Sequence, residues 1–316
     1  ATEFLKRDEA LRFYGEGADF APGREVYPDE HRMMWCAGDW TDDTDQQILM
    51  LQSLLHSGGR AKPQDFAARL LSWRKAGFPE LGDQSAAGLG QATKAVLNDP
   101  AFLSSPHSVA EAHTSKIPSN GGVMRTAVAG LPFFWDEDIV VETASSLCRA
   151  THADPRCVAS CIAVAVCISR LLRNDVAPSQ DGFRETVVEP ALARAREALG
   201  GEHLEDLERY TSAETLADLE LDEPRTIGYT FKCLGSGLWA LKANEEVEMQ
   251  GGLFRQTLNR LILAAGDADT NGSVAGALLG CRLGFSELPQ DWIAGMPYSS
   301  WLEAHVQKLL FMLGLR

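Results

Sequence analysis

Apolar residues return every three or four positions along most of the chain. Phe66 to Trp73, Val140 to Ala150, Pro155 to Leu172, Val187 to Leu199, Leu204 to Leu219, Thr226 to Leu241, Leu253 to Ala265 and Trp301 to Leu313 all carry this spacing. It lays an apolar stripe along a helix, whereas the two-residue alternation of a half-buried strand is scarce here. The punctuation agrees. Asp154-Pro155 offers an N-cap followed by proline at the first helical position, and Gly58-Gly59 and Gly200-Gly201 stand where helices should close. The pattern predicts an all-α fold. Helical segments fill the chain from about residue 45 to its end with no Ser/Gly-rich or Pro-rich linker, which predicts one compact domain over residues 1–316.

The longest uncharged apolar stretch, CVASCIAVAVCIS from Cys157 to Ser169, falls well short of the roughly 20 residues that cross a bilayer, so it reads as a buried core helix. Lys and Arg number 29 against 44 Asp and Glu, and the net charge of −15 repels phosphate backbones and anionic lipid. Nucleic acid and membrane are therefore not expected partners, and the expected state is a monomer. The seven cysteines show no pairing pattern and sit mostly in apolar helical runs, which fits a reducing, intracellular and cytoplasmic setting. Cys157 and Cys161 are one helical turn apart, but no second Cys or His pair joins them, so a core role is expected over zinc. The acidic run TSAETLADLELDEPR reads as a solvated helix and its exit loop.

Two acidic clusters change the picture. In GDWTDDTDQQILMLQSLLHSGG, residues Asp39, Asp42, Asp43 and Asp45 crowd the start of a helix whose apolar positions begin at Ile48. A cap near a helix start accounts for one acid, and metal binding is the competing account of the rest. An EF-hand fails, because its sixth position would be Thr44 and its twelfth Met50. Far downstream, LAAGDADTNGSVAGALLG again sets Asp267, Asp269 and Thr270 directly before a helix. That helix contains Gly272, Gly276 and Gly280, which predicts close approach of a neighbouring backbone. If the two helix starts meet, four carboxylates and the hydroxyls of Thr41 and Thr270 converge, and cations would resolve the repulsion. A donor set of hard oxygens calls for Mg²⁺ or Mn²⁺, with Ca²⁺ a further option, and its size suits two ions. Between the clusters, Ser119-Asn120-Gly121-Gly122 is by itself a turn, although VMRTAV after it resumes a helical pattern.

The segments DWTDDTDQQILM, SNGGVMRTAV, THADPRCVA and GDADTNGSVAGALLG, in that order, closely resemble the ADP-ribosylglycohydrolase family. The resemblance implies an orthogonally packed helical domain around a two-magnesium centre, acting on ADP-ribose or an ADP-ribosylated protein side chain. It implies Thr41, Asp42, Asp43, Asp267, Asp269 and Thr270 as metal ligands, which leaves Asp39 and Asp45 as solvated neighbours. Glu3 in ATEF takes the place of a family glutamate near the metals and the scissile bond, and Glu3 or Asp269 would accept a proton from water. Ser119, Asn120, Gly121 and Gly122 would wrap the pyrophosphate and ribose, their glycines letting backbone N–H groups approach phosphate oxygens. Arg125 would contact phosphate, or brace the loop by pairing with an acid. His152 would lie near the ligand, or serve as a helix-junction histidine, and Asp154 is more simply an N-cap. Tyr229 and Trp239 are expected in the core or the pocket wall. Family members begin with a Gly-rich first helix, and this chain starts just after its place, so Glu3 is expected near a free end that frays. The activity implied is magnesium-dependent hydrolysis of the bond from ADP-ribose to a modified side chain. The alternatives are an ADP-ribose-binding member without turnover, or a hydrolase of small ADP-ribose derivatives.

Overall fold

Helices account for the regular structure among the described residues, 1–36, 38–173, 182–244 and 252–315 of the computed structural model. In chain order they are α1 (Arg7–Tyr14), α2 (Asp42–His56), α3 (Pro63–Ala76), α4 (Gln91–Leu97), α5 (Pro106–Thr114), α6 (Glu137–Cys148) and α7 (Pro155–Leu172). After them come α8 (Glu189–Leu199), α9 (Leu204–Thr211), α10 (Thr230–Leu241), α11 (Gly252–Leu263), α12 (Ala268–Leu283), α13 (Gln290–Gly295) and α14 (Ser299–Met312). The all-α expectation holds. Two predicted helices are cut. The pattern from Leu204 stops with α9 at Thr211 and resumes only as a 3₁₀ turn, Leu216–Leu219. The pattern from Thr226 becomes helix only at Thr230, because the residues before it pair with another loop: Asn120 N–H donates to Gly228 O at 2.9 Å and Thr230 N–H to Pro118 O at 3.0 Å. The VMRTAV segment also folds differently, as a wholly buried 3₁₀ helix, Val123–Gly130.

Burial decides these outcomes. Cys157 to Ser169 of α7 is buried at every position, packed against α6, α8, α10 and the Val123–Gly130 segment. By length and hydropathy α7 could cross a membrane, yet 72% of it is enclosed by the fold, as a core helix should be. One apolar core runs from Ile48 on α2 to Leu309 on α14, and a smaller one joins Leu5, Ala10, Tyr14 and Ala18 to Ala265, seating α1 on α11. The cysteines are free thiols, and all but Cys36 and Cys281 are buried. The acidic run keeps Glu214, Asp218, Glu220 and Glu223 exposed, while Leu219 and Leu221 within it are buried and Glu220 O accepts the Lys232 ammonium at 2.5 Å.

The close helix approach sits on the opposite partner from the one expected. On α12 a Cβ at Gly272 would meet nothing within 4 Å, and one at Gly276 or Gly280 would make ordinary contacts. On α10, by contrast, a Cβ at Gly235 would lie 2.5 Å from Tyr210 O, and one at Gly237 would lie 2.6 Å from Val274 Cγ1. The glycines that let α10 reach α9 and α12 therefore belong to α10. Gly235→Ala is expected to destabilise the protein by about 1–3 kcal/mol through overpacking against a carbonyl that cannot rotate away. Gly276→Ala is expected to gain up to about 1 kcal/mol from helix propensity. Urea unfolding of the two variants checks the opposite signs.

Candidate metal centre

The N-termini of α2 and α12 meet. Thr41 Oγ1 lies 3.0 Å from Asp43 Oδ2 and 2.9 Å from Asp269 Oδ2, joining clusters 228 residues apart. Neither helix uses these residues as side-chain caps, although Thr41 and Asp267 occupy the N-cap positions. Capping therefore does not account for the crowded acids. Asp42, Asp43, Asp267 and Thr270 are buried, and carboxylate oxygens of Glu3, Asp267 and Asp269 lie within 4.8 Å of one another. Asp43 Oδ1 and Asp269 Oδ1 are enclosed without a hydrogen-bond partner. A buried carboxylate oxygen with no donor is costly. Burial first, and then the charge of Asp269, push the cluster's carboxyls upward: Glu3 to about 9, Asp267 to about 8, Asp42 to about 7, and Asp43 well above its usual range. Glu3, Asp43 and Asp269, like Asp42, Asp267 and the two threonines, offer only hard oxygens, so the donor set fits divalent Mg²⁺ or Mn²⁺.

Glu3 is held at the cluster by its neighbours. Thr2 is buried and its hydroxyl donates to Ile262 O at 2.5 Å, Phe4 N–H donates to Gly266 O at 2.6 Å, and Gly266 N–H donates to Leu5 O at 3.2 Å. Arg32 closes the clamp, with Nε donating to Ala1 O at 2.6 Å and Nη2 to Glu3 O. Fraying of this end, expected from the sequence, is opposed by each of these contacts. The tie requires glycine at 266, whose φ is +73° and where a Cβ would come within 2.1 Å of Leu221 O. Asp267 follows directly, so the same turn sets both carboxylates.

Beside Asp267 lies the Ser119–Gly122 loop. Asn120 Nδ2 donates to Asp267 Oδ2 at 2.8 Å, while the N–H groups of Gly121 and Gly122 have no partner among the described residues. Ser119 Oγ is likewise enclosed without one. Arg125 neither takes a place on the pocket surface nor pairs with an acid among the described residues. It is fully buried over the Phe66 ring, with its guanidinium donating to Gln46 Oε1 and Thr151 Oγ1. Gln46 in turn donates to Asp42 Oδ2 at 2.7 Å, so Arg125 steadies the cluster through one intermediary. His152 is buried beneath the loop, its Nδ1 2.7 Å from Thr151 Oγ1, and burial drives its pKa down to about 3. The Thr151 hydroxyl also accepts from Arg125, which leaves the other ring nitrogen to face the loop. That nitrogen, Nε2, would stand 2.8 Å from a Cβ at Gly121, so the glycine lets the loop lie directly on the imidazole.

Several contributors lie outside the predicted set. Gln46, Thr151, Gly88 and Gly228 line or steady the cluster, a Cβ at Gly88 falling 2.5 Å from Asp42 Oδ1. Gln46 was visible as the residue one turn after Asp42, whereas the others become neighbours only through the fold. Asp45, expected as a solvated neighbour, is instead half-buried, accepting the indole N–H of Trp40 at 2.8 Å and of Trp73 at 3.0 Å. Burial raises it to about 6 against the pull of those donors. Asp154 caps α7 by accepting from Arg156 N at 2.9 Å, as expected. Tyr229 donates to Asp206 Oδ2 at 2.8 Å and packs, partly buried, against the main core, where Trp239 is buried.

The family model described as ADP-ribosylglycohydrolase matches residues 1–314. The chain belongs to the ADP-ribosylglycohydrolase family. An uncharacterized protein of Archaeoglobus fulgidus is 28% identical over 317 residues, covering 98% of this chain and 90% of the archaeal one. The protein named ADP-ribosylarginine hydrolase Tri1 of Serratia proteamaculans is 22% identical, covering 87% of this chain and 68% of its own length. Its namesake in Pseudomonas putida is 23% identical, with 86% and 65% covered. A solved structure titled ADP-ribosylglycohydrolase-related protein complex superimposes with a TM-score of 0.64 at 23% identity, covering 98% of this chain and 97% of that one, and shares the fold. Family membership makes this chain a glycohydrolase of ADP-ribosyl linkages.

Proposed function

We propose that this member is a magnesium-dependent ADP-ribosyl hydrolase that cleaves the bond from the ADP-ribose anomeric carbon to a modified protein side chain. The observation that carries the reading is the pair of partnerless buried oxygens, Asp43 Oδ1 and Asp269 Oδ1, at the junction of two helix starts beside a loop with free N–H groups. Thr41, Asp42, Asp43, Asp267, Asp269 and Thr270 would hold two Mg²⁺ ions, with Mn²⁺ as a substitute. Bound there, the cations supply positive charge that neutralises the cluster and polarises sugar oxygens.

The chain's own residues do the rest. Gly121 and Gly122 offer N–H groups to the pyrophosphate, and Ser119 Oγ is a further donor at the same loop. Asn120 fixes Asp267, so loop and cluster are set relative to each other and the ribose is held in one geometry. Glu3 takes the proton from the attacking water as its oxygen bonds to the anomeric carbon. The bond to the side-chain heteroatom breaks with its electron pair, and the proton returns to that atom.

Two relatives bear the name ADP-ribosylarginine hydrolase, so an arginine-linked adduct heads the substrate panel, followed by a serine-linked one. The test is release of free ADP-ribose from peptides modified on each residue, in Mg²⁺ and in EDTA. Release from at least one, abolished by EDTA and restored by Mg²⁺, is expected. No release from either, with ADP-ribose still bound, would favour the binding-protein reading. Release only from small ADP-ribose esters would favour the third.

A further inference from the structure

Glu3 is the carboxylate to which the hydrolytic reading gives the proton, and its side chain would not choose its own position. It stands within 4.8 Å of oxygens on Asp267 and Asp269, whose charges repel it. Its carboxylate has a direct hydrogen-bonding partner: His31 Nε2 lies 2.7 Å from Glu3 Oε2. We infer that His31 is the positioning residue for the Glu3 carboxylate, a role that rests on the hydrolase function proposed above.

The imidazole is itself fixed. Its ring lies between Phe4, with centroids 5.1 Å apart and planes tilted by 47°, and Trp35, at 5.1 Å and 73°. Phe4 has a φ of +59°, a left-handed conformation that costs a bulky residue energy and persists only where the surroundings impose it. That twist turns Glu3 inward and leaves Phe4 outward, 54% exposed, against the imidazole. The next residue, Arg32, holds the Glu3 carbonyl, and Asp29 accepts the Arg32 N–H at 2.8 Å. A single short turn, residues 29–35, therefore fixes Glu3 twice, the main chain through Arg32 and the side chain through His31. When Glu3 is ionised, only a donating Nε2–H satisfies the contact, which leaves Oε1 as the oxygen for the water proton.

Three variants test this. His31→Phe keeps a ring between Phe4 and Trp35 but loses the nitrogen, His31→Ala removes both, and His31→Gln can place an amide N–H near the position of Nε2. With an ADP-ribosylated peptide that the wild type cleaves, kcat is expected to fall about 10–100-fold in the Phe and Ala variants. KM, the Mg²⁺ concentration for half activation and the melting temperature of His31→Phe should stay near wild type, and His31→Gln should recover most of the lost kcat. Wild-type kcat in His31→Phe would overturn the positioning role while leaving the hydrolase reading intact. So would a loss in His31→Gln as large as in His31→Phe. Wild-type protein inactive on every ADP-ribosyl substrate would overturn the hydrolase reading, and this role with it.

Discussion

Asp269→Asn is expected to abolish ADP-ribose release while raising the melting temperature of the metal-free protein. Two physical terms act in opposite directions. The carboxylate has one oxygen 2.9 Å from Thr41 Oγ1 and the other buried without a partner, the oxygen that a cation at the cluster would take. An amide keeps the volume but supplies no charge for Mg²⁺. Losing a cation worth several kcal/mol of transition-state stabilisation lowers the rate more than about 100-fold. In EDTA the same change removes the charge that contributes to raising Glu3, Asp42, Asp43 and Asp267. Each kcal/mol of repulsion relieved is worth roughly 2–4 °C in a domain approaching this size. Turnover assays in Mg²⁺ and thermal melts in EDTA read the two effects separately. Undiminished turnover, or a lower melting temperature in EDTA than wild type, would refute the assignment of Asp269 to a charged cation site.

The helices and the acidic clusters were legible in the sequence for the same reason: both are local patterns. Pro155 to Leu172 is helix to the residue, because its cap, proline and apolar spacing are contiguous. The convergence of Asp43 and Asp269 was legible as a condition, since clustered buried carboxylates need cations or protons to offset their repulsion. What escaped was everything set by contact across the chain. The helix from Thr226 loses its first turn because Gly228 must pair with Asn120, and no local propensity records that pairing. Asp45 looked like surface charge because its two indole donors, Trp40 and Trp73, are 5 and 28 residues away and meet it only in the fold. Arg125 could be read either way until its burial placed it under the cluster, reaching Asp42 only through Gln46. His31 was silent, because a lone histidine near an N-terminus carries no pattern until Glu3 folds back against it.

Without divalent cations, the protein is expected to lose stability steadily as pH rises from about 4 to about 9. Glu3, Asp42 and Asp267 bind protons more tightly in the fold than in the unfolded chain, rising from 4.5 to about 9, from 3.8 to about 7 and from 3.8 to about 8. Between the unfolded and folded values the native state holds protons that the unfolded chain has released, so increasing pH favours unfolding. The loss starts near the unfolded values, around pH 4, and is complete once the highest folded value is passed, near pH 9. Mg²⁺ reverses the trend, because it needs the ligands ionised and competes with protons for them. At about 100 times its dissociation constant a bound cation contributes roughly 2.7 kcal/mol, and that constant tightens as pH rises. Melting temperatures between pH 5 and 9 should therefore fall in EDTA and diverge upward in Mg²⁺, the gap widest at the alkaline end. Asp269→Asn serves as the internal control. With one charge gone, the remaining carboxyls return toward ordinary values, so its EDTA curve should be shallower than wild type. A wild-type EDTA curve that is flat or rises across this range would mean that the clustered carboxyls are not the strained element of the fold.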